Sequence, residues 1–445
     1  MVRTAIIDEH LLSYLNRVAQ QNTYAMGLIL GQSCTGKDYV MHFAKTPPFH
    51  TENDKNLNEP EKLKSLDQIN ENWMSDHARQ TTRMLPGGMH VLGVFVISPD
   101  SSLNPFNPKV KAVLQRIHGQ LETNTYLYGN SSSEKLVVHY DPKTQKCFCK
   151  AYDVTSHIIQ PAEVKTVAKK WNSVQCDYGI DKIQYIRKFE VNYPLEKHIN
   201  ALMNEIHDNL AQSVFLFNGE YKEGDESIEN VGKNDTRHTR SNKGRSDNIG
   251  DSKPVIVSIF QSKLSEGDDA SEQDSIIETG GQLRLVGKVS SKLWLQPKLS
   301  IKEASDFIRQ DIMRSLVSRL EMHWDSLTEE ENSEDINCLH EPPRRVLIAL
   351  PNSEVTLSDY LFPGEGPQDA KVSFEELLDI KINGKLTIQD VEGQADISEY
   401  QNSTSESDSK EVLTKFSSET NKIMYLALVI ALIVLVLALL LHFYQ

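Results

Sequence analysis

The chain of 445 residues is 39% hydrophobic and 24% charged, the balance of ordinary globular domains rather than of a disordered or fibrous polymer. A formal net charge of −15 leaves no broad basic field, which argues against nucleic acid or an anionic lipid surface as a partner. Five scattered cysteines, an odd number, fit free thiols in a reducing cytosol, and acids by residue 8 with no apolar core of sufficient length argue against a signal peptide.

Residues 1–155 read as one α/β domain. Asp8 to Gln20 predicts an amphipathic helix with Leu11, Leu12, Tyr14, Leu15 and Val18 on its apolar side. Two strands follow, the apolar run Ala25 to Gly31 and the partly alternating Lys37 to Ala44, with a turn composition over Gln32 to Gly36. Thr46-Pro47-Pro48 ends the second strand, and 50–65 is a polar loop. A helix over Asp67 to Met84 carries Ile69, Trp73, Ala78 and Met84 and is stopped by Pro86-Gly87-Gly88. His90 to Ile97 is apolar on both faces and therefore a central strand. Val110 to Gln120 predicts a helix, and Lys135 to Tyr140 with Cys147 to Val154 a late hairpin. This order suits an α/β or α+β sandwich.

The segment 156–219 is a connecting α/β piece, with a strand over Lys182 to Tyr193 and a helix over Leu195 to Ala211. Glu220 to Ser252 is polar with almost no aliphatic residues and is expected to be a disordered linker. Residues 253–392 form a second α+β domain, with strands at Val255 to Phe260, Gly281 to Val289, Ser291 to Leu295 and Arg345 to Leu350. Its helix, Ile301 to Leu327, has Ala304, Phe307, Ile308, Ile312, Leu316, Val317, Leu320 and Trp324 at helical spacing, with Arg309, Asp311, Arg314 and Arg319 off that stripe. Residues 393–421, rich in Ser, Glu and Thr, read as a flexible stalk.

Ile423 to Leu441 then runs for nineteen residues with no charge, Gly or Pro, and fourteen of them are Leu, Ile or Val. At about 1.5 Å per helical residue the run reaches about 28 Å, the thickness of a bilayer's hydrocarbon core. Residues 422–442 are expected to be a single transmembrane helix, inserted after synthesis as a tail anchor with the body in the cytosol. Lys410, Lys415 and Lys422 on its N-terminal side agree with that orientation.

Catalytic signatures are absent. No G-x-x-x-x-G-K-[ST], G-x-G-x-x-G after a strand, H-E-x-x-H or G-x-S-x-G occurs. Cys147 and Cys149 alternate on one strand face without further zinc-spaced partners, and Cys34 with His42 or His50 reads better as a turn cysteine than as a thiol dyad. His90 and His139 read as satisfied structural imidazoles, and the basic run Arg237 to Arg245, lacking aromatics, as a solvated segment.

The order helix, Gly27-Leu28-Ile29-Leu30-Gly31-Gln32, a strand ending Thr46-Pro47-Pro48, and Val91-Leu92-Gly93-Val94-Phe95-Val96-Ile97-Ser98-Pro99 resembles the MPN fold. In catalytic members of that fold the last strand supplies two zinc-binding histidines. Here Val96 and Ser98 stand in their places, which implies an MPN-like pseudoenzyme with no catalytic residue, no metal and no cofactor. The whole chain resembles the odorant-response-abnormal-four family. That likeness rests on the motifs above together with Lys37-Asp38-Tyr39-Val40, Arg83 to Gly88, Phe148 to Asp153, Arg345-Val346, Leu350-Pro351, Ser358-Asp359-Tyr360 and the C-terminal span.

The family resemblance implies no enzyme. It implies a tail-anchored adaptor or chaperone on the endoplasmic reticulum or another internal membrane, held in the bilayer by residues 423–441. Its role would be the folding, exit or ciliary localisation of seven-transmembrane chemosensory receptors, with transport vesicles of sensory neurons as a further place. The alternative it implies is a membrane recruiter and stabiliser of a ubiquitin-fold-modifier-specific protease. The loop Met84 to Gly88 is the one guess for a client surface, against a plain turn.

Overall fold

The apolar strands of the first half close on themselves. The structure, a computed structural model, describes residues 3–49, 62–99, 107–129, 132–231, 253–261, 278–329, 340–382 and 388–393. In chain order the first part holds β1 (Arg3–Ile7), α1 (Glu9–Gln21), β2 (Ala25–Cys34), β3 (Lys37–Lys45), α2 (Glu71–Met84), β4 (His90–Ile97), α3 (Pro108–Glu122), α4 (Thr125–Tyr128), β5 (Glu134–Asp141), β6 (Lys146–Asp153) and β7 (Ile159–Thr166). The strands form a barrel in the order β1-β3-β2-β4-β5-β6-β7, closed by parallel pairing of β7 with β1. The helices and strands predicted within residues 1–155 form within a few residues of their expected ends, whereas the strand expected over Lys182 to Tyr193 runs instead from Asn172 to Arg187. The barrel continues past residue 155 to Thr166, because β7 supplies the strand that seals it.

β4 lies between β2 and β5, as its two apolar faces require. Its Gly93 approaches β5 so closely that an added Cβ would stand 1.9 Å from the Leu136 carbonyl oxygen. Gly93→Ala is expected to cost about 3 kcal/mol by overpacking. Gly119→Ala, on α3 with nothing within 4 Å of the new methyl, should instead stabilise by about 0.5–1 kcal/mol through helix propensity. Thermal melts of the two variants check the pair: equal melting temperatures would refute the steric account.

The second part holds β8 (Asn172–Arg187), α5 (Leu195–Ala211), β9 (Val214–Phe217), β10 (Glu220–Tyr221), α6 (Ile228–Val231), β11 (Val255–Phe260), β12 (Thr279–Leu295), α7 (Ile301–Glu329), β13 (Arg344–Ala349), β14 (Thr356–Leu361), α8 (Pro367–Leu378) and β15 (Ile388–Asp390). A five-stranded sheet runs β10-β9-β11-β8-β12 and a three-stranded sheet β14-β13-β15. The two stretches expected as separate strands at 281–289 and 291–295 are one strand, β12, paired with β8 along its whole length. Glu220–Val231, expected as linker, carries β10 and α6, because buried Ile228 and Val231 give this polar stretch an apolar foothold. The remainder of that linker, the stalk beyond Gly393 and the apolar run Ile423–Leu441 lie outside the described residues. Among the described residues no helix is long and apolar enough to cross a membrane.

One apolar cluster runs from Met26 and Val94 in the barrel through α7 to Val257 and Leu293 of the five-stranded sheet and Phe374 of α8. A second, with Leu11, Leu15, Phe43, Phe95 and Val138, fills the α1 side of the barrel. The chain is thus mixed α/β, with α7 at the junction of its three sheets.

Candidate functional site

Val96, expected to stand in place of a zinc histidine, is fully buried on β4 opposite His139 of β5. Ser98 follows the strand. Its Oγ lies 3.1 Å from His139 Nε2, and the same nitrogen is 3.2 Å from the Ser98 carbonyl oxygen. A carbonyl can only accept, so Nε2 carries the proton and its lone pair is not offered to a metal. The other side of the imidazole stacks on Phe148 at 6.2 Å. This valine, hydroxyl and hydrogen-bonded imidazole do not fit Zn²⁺. Among the described residues no group of three or more His, Cys, Asp or Glu is placed to hold a metal ion.

The other candidates fall apart in space. Cys34 is buried beside Thr35, and burial pushes its thiol up, away from nucleophilic thiolate. His42 faces the Leu378 carbonyl of α8, at 2.8 Å. Cys149 belongs to the α1-side core with Cys147 packed against it, and burial pushes their thiols up to about 12 and about 11. His50, Cys338 and the basic run at 237–245 lie outside the described residues.

The loop Met84 to Gly88, offered as a client surface, is buried under α7. The amide of Gly87 donates to Asp311 Oδ1 at 2.8 Å and that of Gly88 to Gln310 Oε1 at 2.8 Å. A Cβ on Gly87 would stand 2.0 Å from the Phe307 carbonyl oxygen, so only glycine lets helix and loop backbones touch. Arg314 Nη1 donates to the carbonyls of Leu85, Pro86 and Met89, and its Nε to that of Leu127. Burial depresses this guanidinium to about 10.

Asp311 also accepts two bonds from Arg345 of β13, at 2.7 and 3.0 Å, and one from Ser291 of β12 at 2.6 Å. Burial pushes the Asp311 carboxyl up, but Arg345, Ser291 and the Gly87 amide outweigh it and hold the group below the usual carboxylate range. Glu392 accepts from Ser290 N, Arg345 N and Arg319 Nη2, tying the last described turn to the same hub. The hub joins β12, the C-terminal sheet and the loop ahead of β4. Spacing placed Asp311 and Arg314 off the apolar stripe; both are buried, because each polar atom pair replaces the water that a charged face otherwise needs.

One exposed apolar feature among the described residues is a β-ribbon. β8 and β12 run on as a paired two-stranded ribbon from Gly179 to Arg187 and from Thr279 to Lys288, with Ile180, Leu283 and Leu285 packed on the core. On the arm and the turn after it Tyr185 is 62% exposed, Phe189 66% and Val191 51%. A second exposed group, Val214, Tyr221, Ile256 and Phe260, lies on the outer face of β9, β10 and β11. Large exposed apolar side chains on a rigid scaffold mark contact surfaces. The sequence signal for the arm was the alternation after Lys182.

The family described as ODR4-like, "Odorant response abnormal 4-like", matches residues 27–388. The human "Protein odr-4 homolog" is 29% identical over 405 residues, spanning 88% of this chain and 86% of the relative. The Caenorhabditis elegans "Odorant response abnormal protein 4" is 22% identical over 398 residues, spanning 84% and 78%. Among solved structures, the crystal structure of UfSP from C. elegans superposes with a TM-score of 0.45 at 8% identity, over 87% of this chain and 58% of that one.

Proposed function

The chain belongs to the odorant response abnormal 4-like family, and we propose from that membership that it is a non-catalytic adaptor, tethered to an internal membrane, that assists the folding, exit or delivery of seven-helix chemosensory receptors. The carrying observation is the family match over residues 27–388, with a relative named for an abnormal odorant response. Two further features support this reading. The end of β4 holds Val96 and Ser98 in an MPN-like frame, a pairing suited to a scaffold rather than to hydrolysis. The exposed apolar ribbon offers a contact surface without a reactive group.

The tether sets the geometry. Glu392 is fastened into the hub, so residues 393–422 would pull on a rigid point. A coil of that length spans about 30 Å by the usual square-root scaling. Such a leash raises the local concentration of a client's cytosolic loops without demanding tight contacts.

Proximity labelling from the full chain in sensory cells, set against a copy lacking residues 423–445, tests the proposal. Polytopic receptors are expected among the labelled proteins and should drop out when the apolar run is removed. Labelling that does not change, or that contains no receptor, defeats the reading.

A further inference from the structure

Between α2, α4 and α7 lies a polar enclave that the proposed tethering does not use. Arg79 and Arg83 stand one turn apart on α2, and Arg314, Ser318 and Glu321 share a stripe of α7 by their spacing. α4 brings its N-cap Asn124 and its last residue Tyr128. The three helices are pinned here: Arg83 Nη2 lies 2.8 Å from Glu321 Oε2, Asn124 Nδ2 donates to Glu321 Oε1 at 2.7 Å, and Arg314 Nε donates to the Leu127 carbonyl at 2.7 Å. The Tyr128 hydroxyl lies within the fields of Arg79, Arg83, Glu321 and Arg314 together.

Charge does not balance in this enclave. Three guanidiniums face one carboxylate, and both Glu321 oxygens are already engaged by Arg83 and Asn124. Asp311, the acid nearest Arg314 on its own helix, is committed to Arg345. The surplus is two positive charges (three minus one). Hydrogen bonding does not balance either. Arg79 Nε, Arg83 Nε, Arg314 Nη2, Tyr128 Oη and Ser318 Oγ are buried without a hydrogen-bond partner. Arg314 is only 1% exposed. Arg79, half-buried, makes no hydrogen bond or ion pair among the described residues.

Guanidinium nitrogens only donate, so the enclave calls for an acceptor. A water molecule brings two lone pairs and no charge. A phosphate group brings several strong acceptor oxygens and, near neutral pH, about −1.5 to −2 charges, which matches the surplus. Arginines meet such an oxyanion with paired N–H donors. We propose that this enclave is a binding site for a phosphate-class oxyanion, held by Arg79, Arg83 and Arg314 with the hydroxyls of Tyr128 and Ser318. Arg79, the half-exposed member, marks the side of entry. The bound ion would lock α2, α4 and α7 together beside the buried Pro86-Gly87-Gly88 loop.

The test is calorimetric titration of inorganic phosphate into the full chain in detergent at constant ionic strength, with chloride as the control salt. One saturable site is expected, accompanied by a rise in melting temperature. Arg79→Gln should weaken binding at least tenfold and Tyr128→Phe several-fold, with far-UV circular dichroism confirming that both variants are folded. Arg79→Lys should restore part of the affinity. Displacement by O-phosphoserine supports a phosphomonoester as the ligand, and failure to displace supports the free ion; both uphold the site. No saturable phosphate binding, or binding indifferent to Arg79→Gln, overturns the proposal. Binding that appears only after Glu330, Glu331, Glu334 and Asp335 are replaced by their amides also overturns it, by assigning the enclave to the chain's own acidic run.

Discussion

Asp311→Ala is expected to remove about 3–5 kcal/mol from the unfolding free energy, the cost of leaving one member of a buried pair uncompensated. Arg345 and Asp311 are each 1% exposed, so neither can turn to water when its partner is lost. The same change frees the Gly87 amide and the Ser291 hydroxyl, which both donate to this carboxylate. Each orphaned donor adds about 1–3 kcal/mol unless the site relaxes. Arg345→Met should cost a similar amount, and the double variant far less than the sum, because the two charges disappear together. Urea unfolding of the four proteins in detergent measures the cycle. A loss below about 1 kcal/mol for Asp311→Ala would mean that the pair is solvated and the hub does not join the sheets. The consequence follows from placement. The hub holds the Pro-Gly-Gly loop, β12 at Ser290 and Glu392, so its loss should loosen all three together.

Periodicity made much of this body legible. The two-sided apolar run of β4, the stripe of α7 and the hairpin of β5 and β6 each carry their pattern within one element, and each forms where the pattern places it. What sequence could not give is closure. β1 is five residues long and β7 contains Pro161 and reads as polar; they matter only because each finds the other as a parallel neighbour. A parallel pairing between residues 3–7 and 162–166 leaves no local trace. The hub was hidden for a related reason. Asp311 and Arg314 look like a solvated face until Arg345 of β13 and the carbonyls around Gly87 arrive from elsewhere in the chain. That Val96 and Ser98 are poor zinc ligands, by contrast, is readable residue by residue, because it needs no fold.

Lowering the pH from 6.5 to 4 is expected to loosen the seat of α8, and the sign follows from two buried histidines. His42 Nε2 lies 2.8 Å from the Leu378 carbonyl, and His77 Nε2 lies 2.7 Å from that of Leu377. These are carbonyls of the last helical turn, which have no partner inside the helix. Tyr14 completes the seat by donating to Asp379 Oδ2 at 2.7 Å. Burial holds both imidazoles down to about 4, below the ordinary value of about 6.5. The unfolded chain therefore binds protons first. Above about pH 6.5 both imidazoles are neutral in both states and their contribution is flat. Between about 6.5 and 4 the unfolded state gains protons that the folded state refuses, and each histidine withdraws about 3 kcal/mol by the bottom of that window. His90, depressed by burial to about 3, adds to the fall. Asp359 opposes it: burial raises its carboxyl to about 7, so the folded state takes up a proton there and gains stability as pH falls. The carboxylate of Asp311, held low, gives way only below the usual carboxylate range and lies outside the window. His42→Gln and His77→Gln keep an N–H donor for the carbonyl but do not titrate. Urea unfolding at pH 7.5 and pH 5 should show each variant losing less stability than the parent over that interval, and the double variant losing least. If parent and double variant fall in parallel, the histidines are not the groups that take the protons, and α8 is not seated by neutral imidazoles.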